Sequence, residues 1–482
     1  MMIEIGSYKP DVSRYTRGQS QSVTGAIPVE GAWGPMPRHA PVSDALASDC
    51  RGLISTVNSE GGYDTFAFTT THIYKYNSGT LGWDDVSTAA TTYNVPSGET
   101  WGLHQWGDYL VATNINDGLY YYDLTGGSAF VYEASAPKAR HVTSVGAYLI
   151  LGNIINLPKR IQWCKINDLT VWDIGEGGAD IQDFTNGGIV RGFAKDGGGT
   201  VVVQTKALRP MVYTGDQYTF DFPPLNVNKT RGTVAPDSII EAGNTFFYMD
   251  EDGFYRGTAG DPIGAEKVNR SILEEMDTSV RFQVRGASDP VSKMVWWLIP
   301  KNDGTNFMLG YDWQLDEWAR IDVDMRFIAD GNIPAYTLEG LNALYPDLDA
   351  MTISLDSRIF YGGAPTFAGV DADDKFGFFA GTPYAAQFIT NVVALAGPDQ
   401  FALVTGFRAI TDASTHTARV GTRDQYQENV TYGSTLTPES VFGAYDCMVD
   451  AKLFNFEINI PAGETWDVFH GVDVTPQNSG GW

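Results

Sequence analysis

Two runs of carboxylates, Asp250-Glu251-Asp252-Gly253 and Asp371-Ala372-Asp373-Asp374, are the densest polar clusters in the chain. Oxygen donors set this close together are the chemistry of a hard cation such as calcium. Neither run has the spaced ligand loop of an EF-hand, and the first reads more simply as a hairpin tip ending in Gly253. Carboxylates also act as facing pairs across a cleft in glycoside hydrolysis, and 58 Asp and Glu residues leave room for such a pair. Trp83, Trp172 and Trp318 are either sugar-stacking platforms or packing anchors at recurring positions.

Other reactive types lack the spacing that chemistry requires. His39, His72, His104, His141, His416 and His470 form neither an HxH nor an HxxxH pair, so no local histidine metal site is encoded. Cys50, Cys164 and Cys447 are far apart and odd in number, which argues against a disulfide framework or a zinc site and for buried free thiols. There is no G-x-S-x-G elbow, no Walker loop and no complete G-x-G-x-x-G, because Gly175-Glu176-Gly177-Gly178 lacks the final glycine. The sequence therefore offers no catalytic, cofactor-binding or metal residues, and the chain is expected not to be an enzyme and to need no cofactor.

What the chain does have is a drifting internal repeat. An apolar strand follows a Gly or Asp turn, a second turn leads to a Tyr-rich strand, and an acidic turn carrying Trp often closes the unit. Gly62 to Val86, Gly107 to Leu124 and Gly146 to Ile174 show it best. Gly199 to Phe222, Gly243 to Gly257 and Lys293 to Ile321 are looser copies, and Arg358 to Gly363 (RIFYGG) is the start of a further one. The starts lie roughly 40 to 50 residues apart, with one longer gap, as in a four-stranded blade repeat. Apolar and polar residues are expected to alternate within each unit, giving antiparallel meanders that bury their faces only when ringed by neighbours. The fold expected is all-β: a β-propeller of six or seven blades over 42–370, with an irregular array of β-sandwiches as the other possibility. The Ser-x-Asp-x-Gly-x-Thr-Trp turns of sialidase-type propellers are missing.

Both flanks break the period. Residues 1–41, with Pro10, Pro28, Pro35, Pro37 and Pro41, read as an extended N-terminal arm suited to subunit contacts. Residues 371–482, with strands such as Phe401 to Arg408 and Leu453 to Ile460, read as a small C-terminal β-sandwich domain. Length is ample for both, at 482 residues. A formal charge of −26 excludes adhesion to nucleic acid through clustered Lys and Arg, although a polyanion can slide along an acidic wall without sticking. No apolar run is long enough to span a bilayer and no signal-like N-terminus is present, so folding in a cytoplasm is expected.

Three segments also carry a family likeness. Ala134 to Asp173 (ASAPKARHVTSVGAYLILGNIINLPKRIQWCKINDLTVWD), Arg231 to Arg270 (RGTVAPDSII, FFYMDEDGFYRG, IGAEKVNR) and Ile458 to Asp473 (INIPAGETWDVFHGVD) resemble the tail nozzle, or packaged-DNA stabilisation, proteins of short-tailed bacteriophages, the podoviruses. The resemblance implies a structural virion protein: a hexameric ring at the distal end of the tail that retains packaged DNA and conducts it during ejection. The partners implied are other copies of the chain, the head-to-tail adaptor protein, a tail fibre or spike, a distal plug or needle, and double-stranded DNA passing without sequence-specific binding. No membrane insertion is implied, and assembly would take place in the bacterial host cytoplasm. A receptor-binding or glycan-degrading tail protein is the alternative, and a propeller scaffold unrelated to viruses a third reading.

Overall fold

The apolar runs that head the repeats fold as strands enclosed on both faces. Tyr148–Ile154 is buried throughout, and Thr245–Asp250 and Met294–Pro300 are buried over all but one residue. This differs from the expected alternation of apolar and polar positions, and packing supplies the reason. Each run is the second strand of a four-stranded sheet held between two other sheets, so successive side chains point into different cores. Leu149 and Leu151 pack with Val111 and Leu119 on one side, while Ile150 packs with Val202 and Met211 on the other.

The computed structural model describes residues 1–482 except 14, 17, 21, 90, 216–217, 224–230, 334–341, 343–346, 348–362, 364, 398, 440–442 and 481–482. It is an all-β molecule, a seven-bladed propeller joined to a β-sandwich. Blade one runs from Cys50–Val57 to Gly82–Asp85, blade two from Gly102–Trp106 to Val131–Glu133 and blade three from Ala139–Val145 to Asp180–Asp183. Blade four runs from Val190–Asp196 to Phe220–Asp221, blade five from Ile240–Ala242 to Asp261–Pro262 and blade six from Arg285–Asp289 to Glu317–Ile321. The sequence repeats begin at the turn after each first strand, so they open on the hairpin of second and third strands, and three of them run on through the fourth. The unit expected at Arg358 to Gly363 lies, apart from Gly363, outside the described residues.

Blade seven closes the ring with strands from distant parts of the chain. Met325–Asn332, Pro365–Asp371 and Lys375–Pro383 are completed by Pro37–Ala45 as the outer strand. An outer strand is bonded on one side only, which accommodates Pro37 and Pro41. Gly377 sits opposite Pro41, and a Cβ there would fall 2.1 Å from the Ala40 carbonyl oxygen. The ring thus draws on residues beyond both bounds of the 42–370 segment, because an outer strand supplied from far away in sequence ties the circle shut.

The remaining N-terminal residues are woven into the sandwich. Its six-stranded sheet takes Met2–Glu4, Ala26–Val29 and Ala32–Pro35 beside Phe469–Gly480, Phe401–Thr411 and Ala444–Ala451. Its five-stranded sheet takes Ser22–Thr24 beside Ala386–Ile389, Leu453–Ile460, Thr417–Arg423 and Thr431–Tyr432. Between the sheets, Phe388 stacks on Phe469 at 4.1 Å and Phe407 on Tyr445 at 4.7 Å.

The two domains share one hydrophobic core, in which Trp33, Phe388 and Trp466 of the sandwich belong to the same buried cluster as Trp296, Trp297 and Trp318 of blade six. At the joint, Arg320 grips Glu275 with two hydrogen bonds of 2.6 and 2.8 Å and reaches Asp322 at 2.8 Å. Its guanidinium lies 4.5 Å from the centre of the Phe307 ring. Burial alone would raise Asp322, but the bonds from Arg320 hold it below the usual carboxylate range. The N-terminal residues dock on the same edge: Ser7 donates to Glu317 at 2.6 Å, and Asp11 caps the helix Asn269–Glu275 through the amides of Arg270 and Ser271. Gly25, at φ 76°, donates its N–H to the Arg320 carbonyl, and a Cβ on it would lie 1.9 Å from the Ala385 oxygen.

Candidate functional site

Each blade starts from its innermost strand, and the first strands of neighbouring blades touch one another around the axis. All seven therefore run the same way, so their starts meet at one mouth of the axial channel and their ends at the other. An arginine stands at the start of five of them: Arg51, Arg140, Arg191, Arg285 and Arg326. Carboxylates stand further along, with Glu241 on blade five, Asp289 on blade six and Asp330 on blade seven. One end of the channel thus gathers the arginines with Asp49, Glu99 and Asp237 among them, and the other gathers Glu241, Asp289 and Asp330 with Lys195.

At the arginine end, Gly98, Glu99, Arg140, His141, Arg191, Asp237 and Phe282 line a cavity of about 330 Å³. Arg140 forms a bidentate pair with Glu99, both bonds 2.9 Å, and Arg51 pairs with Asp49 at 3.2 Å. Arg285 donates to the Arg326 carbonyl at 2.6 Å and lies over the Phe327 ring. Asp237 accepts from Thr100 at 2.9 Å, and burial raises its pKa against the opposing pull of Arg285. Arg191 has no such partner among the described residues. Desolvation and the neighbouring Arg140 charge lower its pKa, with only Glu99 working the other way. Burial, reinforced by Arg140 and Arg191, pushes His141 down to about 3, so its ring is neutral at physiological pH.

Further along the bore lies a second cavity of about 390 Å³, bounded by Leu103, Phe193, Ile240, Glu241, Phe327 and Asp330. Asp330 accepts from the Ser288 amide. Desolvation lifts Asp330 to about 6, with Glu241 and Asp289 adding to the rise. Its carboxylate meets channel water, but protein surrounds that water, which screens it less than open solvent would. His104, hydrogen-bonded to Ser144 at 2.8 Å, is held at about 4 by burial.

Opposite pH dependences follow. Asp330 is raised above its unfolded value near 3.9, so the stability it contributes is complete below about pH 4 and lost as pH rises through about 6. His104 and His141 are depressed, so their contributions are lost as pH falls below about 6.5. Asp330→Asn keeps an acceptor for the Ser288 amide and removes only the first effect. After allowance for channel water, it is expected to stabilise the fold by about 1 kcal/mol at pH 8 and by nothing at pH 4. Urea unfolding of both proteins at the two pH values checks this; an equal difference at both would contradict it.

The clusters singled out in the sequence sit elsewhere. Asp250 to Gly253 is the tip of the blade-five hairpin, where Arg231 binds Asp252 at 2.7 and 2.9 Å and Tyr255 donates to Asp252 at 2.8 Å. Asp371 to Asp374 turns between two strands of blade seven, with Asp371 accepting from the amides of Asp373 and Lys375. Among the described residues no three His, Cys, Asp or Glu side chains converge as metal ligands. His39 bonds the Gly369 carbonyl, His72 faces Thr71, His416 pairs with Tyr445 and His470 meets the Gly31 carbonyl. Trp318 and Trp172 are enclosed, and Trp83 is half-buried with its indole N–H on the Asp44 carbonyl. Cys50, Cys164 and Cys447 are free, with burial pushing Cys50 up to about 12 and the others to about 11.

The arginines went unnoticed in the sequence although they carry a signal. Cys50-Arg51-Gly52-Leu53, Val190-Arg191-Gly192-Phe193 and Val284-Arg285-Gly286-Ala287 are copies of one short pattern, and Ala139-Arg140-His141-Val142 and Met325-Arg326-Phe327-Ile328 are variants of it.

No protein-family model and no curated protein matches the chain. Among solved structures, the chain is similar to the WD40 domain of Neurospora crassa Pan2, at 6% identity and a TM-score of 0.36, over 61% of this chain and 89% of that one.

Proposed function

We propose that the chain is a structural subunit of a ring, the distal nozzle of a short phage tail, that holds packaged DNA and later conducts it. The observation that carries this reading is the placement of exposed apolar side chains. Tyr132, Ile155, Leu157, Ile174, Tyr213 and Tyr218, each more than 40% exposed, belong to blades two to four or their connections, while Val57, Val291, Tyr426 and Met448 are as exposed elsewhere. The sandwich docks on the opposite side of the propeller, against the outer strand of blade six. Contact between this flank of one copy and a different surface of the next is a head-to-tail association, which closes into a ring when the rotation between copies closes.

The propeller's own channel is crowded by side chains from seven inner strands, so a duplex would pass between copies rather than through one. The charge of −26 then gives the assembled lumen walls that repel phosphate. A core continuous across the two domains supplies the stiffness that a pressurised conduit needs.

Charge on the apolar flank should abolish assembly and spare the fold. The double change Ile174→Asp and Tyr218→Asp is expected to convert a ring of several copies into a monomer with unaltered thermal unfolding. Light scattering coupled to gel filtration reads the mass, and a ring persisting in the variant would overturn the proposed contact. For the function itself, particles assembled without the chain should lose their genome to nuclease. A glycan-degrading role has one supporting observation, the raised carboxyl of Asp330 near Glu241. Loss of glycan cleavage in Asp330→Asn would favour it.

A further inference from the structure

We infer that the arginine end of the axial channel is a binding site for a small oxyanion, a carboxylate or a phosphate group, seated between Arg191 and His141. The site does not depend on ring assembly, since every residue in it belongs to one chain.

Nε of Arg191 and Nε2 of His141 are both shut off from solvent and have no hydrogen-bond partner among the described residues. Buried donors without acceptors are costly, and a guanidinium more so than a neutral group. Arg140 stands beside Arg191 but is already committed to Glu99, so two guanidiniums share one carboxylate. A neutral imidazole can present Nε2–H as a donor, so the pair offers donors of complementary kinds, a planar fork and a single N–H. Oxyanions accept such a set in two or more directions at once.

The setting reinforces the chemistry. In a chain of net charge −26, the mouth gathers five arginines beside Asp49, Glu99 and Asp237, walled by protein that focuses the field of the unpaired Arg191. The cavity of about 330 Å³ suits an anion of a few heavy atoms. Its rim is closely packed at Gly102, where a Cβ would meet the Arg140 carbonyl oxygen at 2.6 Å. The arginine recurs at the same place in five inner strands; Arg51 and Arg140 form ion pairs with Asp49 and Glu99, and Arg285 donates to the Arg326 carbonyl. Arg191 lines the cavity beside Arg140 and, unlike it, has no side-chain hydrogen bond or ion pair among the described residues.

Calorimetric titration of the full chain with inorganic phosphate, and separately with succinate, tests this against sodium chloride at matched ionic strength. Saturable binding of one anion per chain is expected for at least one of the two, and which of them binds names the class. Arg191→Met should weaken it about tenfold or more, as expected for loss of a charged hydrogen-bonding partner. In the unaltered protein, the bound anion should also protect Arg191 from phenylglyoxal while leaving the exposed Arg408 reactive, which keeps the test valid if the variant misfolds. No saturable binding of either anion, affinity unchanged in the variant, or equal modification of both arginines would overturn the site.

Discussion

A chain that starts at Leu46 is expected to lose cooperative folding of the sandwich and of blade seven together. The missing residues supply Pro37–Ala45 to blade seven, Ser22–Thr24 to one sandwich sheet, and Met2–Glu4 and the hairpin Ala26–Val29 to Ala32–Pro35 to the other. Without them, the backbone edge of Lys375–Pro383 is left open, Phe388 and Phe469 lose the cover of Trp33, and the cap that Asp11 gives the helix Asn269–Glu275 is gone. Open strand edges beside exposed aromatic rings favour aggregation over a smaller folded state. Near-ultraviolet circular dichroism and a thermal melt check this. A soluble truncated chain with the parent's single transition would show that the N-terminal strands decorate the fold rather than close it.

Trp297→Ala is expected to cost about 3 to 5 kcal/mol, the range for deleting a fully enclosed large aromatic side chain. Trp297 is completely buried, stacks on Trp318 at 6.0 Å and packs against Phe254 at 4.7 Å. Its indole N–H also serves the Ser238 carbonyl at 3.0 Å, which the substitution leaves unpaired. The ring sits where blades five and six meet the core shared with the sandwich, so relaxation around the cavity is limited by both domains. Trp83→Ala, at a half-buried site, should cost much less. Denaturant midpoints of the two variants give the comparison, and equal losses would contradict the role assigned to the shared core.

The hairpins of the blades were legible because burial on both faces demands long apolar runs, and Tyr148–Ile154 or Met294–Pro300 can hardly be read otherwise. The alternation expected within them failed for the same reason. Blade closure was hidden, since the register of Gly377 against Pro41 joins residues from opposite flanks and no local pattern encodes it. The short strands of the first 36 residues were hidden too: Met2 pairs with Asp473, and a two- or three-residue strand has no periodicity to read. Of the channel, the recurring arginine was present in the sequence, but one residue per repeat is a faint signal beside tyrosines and acidic turns. Asp330 and Glu241 gave no signal, because what distinguishes them is enclosure by seven strands rather than any neighbour in sequence.

Negative-stain electron microscopy of the purified protein mixed with the portal and adaptor proteins of the same genome tests the nozzle reading most directly. A sixfold ring stacked on the adaptor, with an open lumen between the copies, is the result expected. A monodisperse monomer that ignores the adaptor would contradict it.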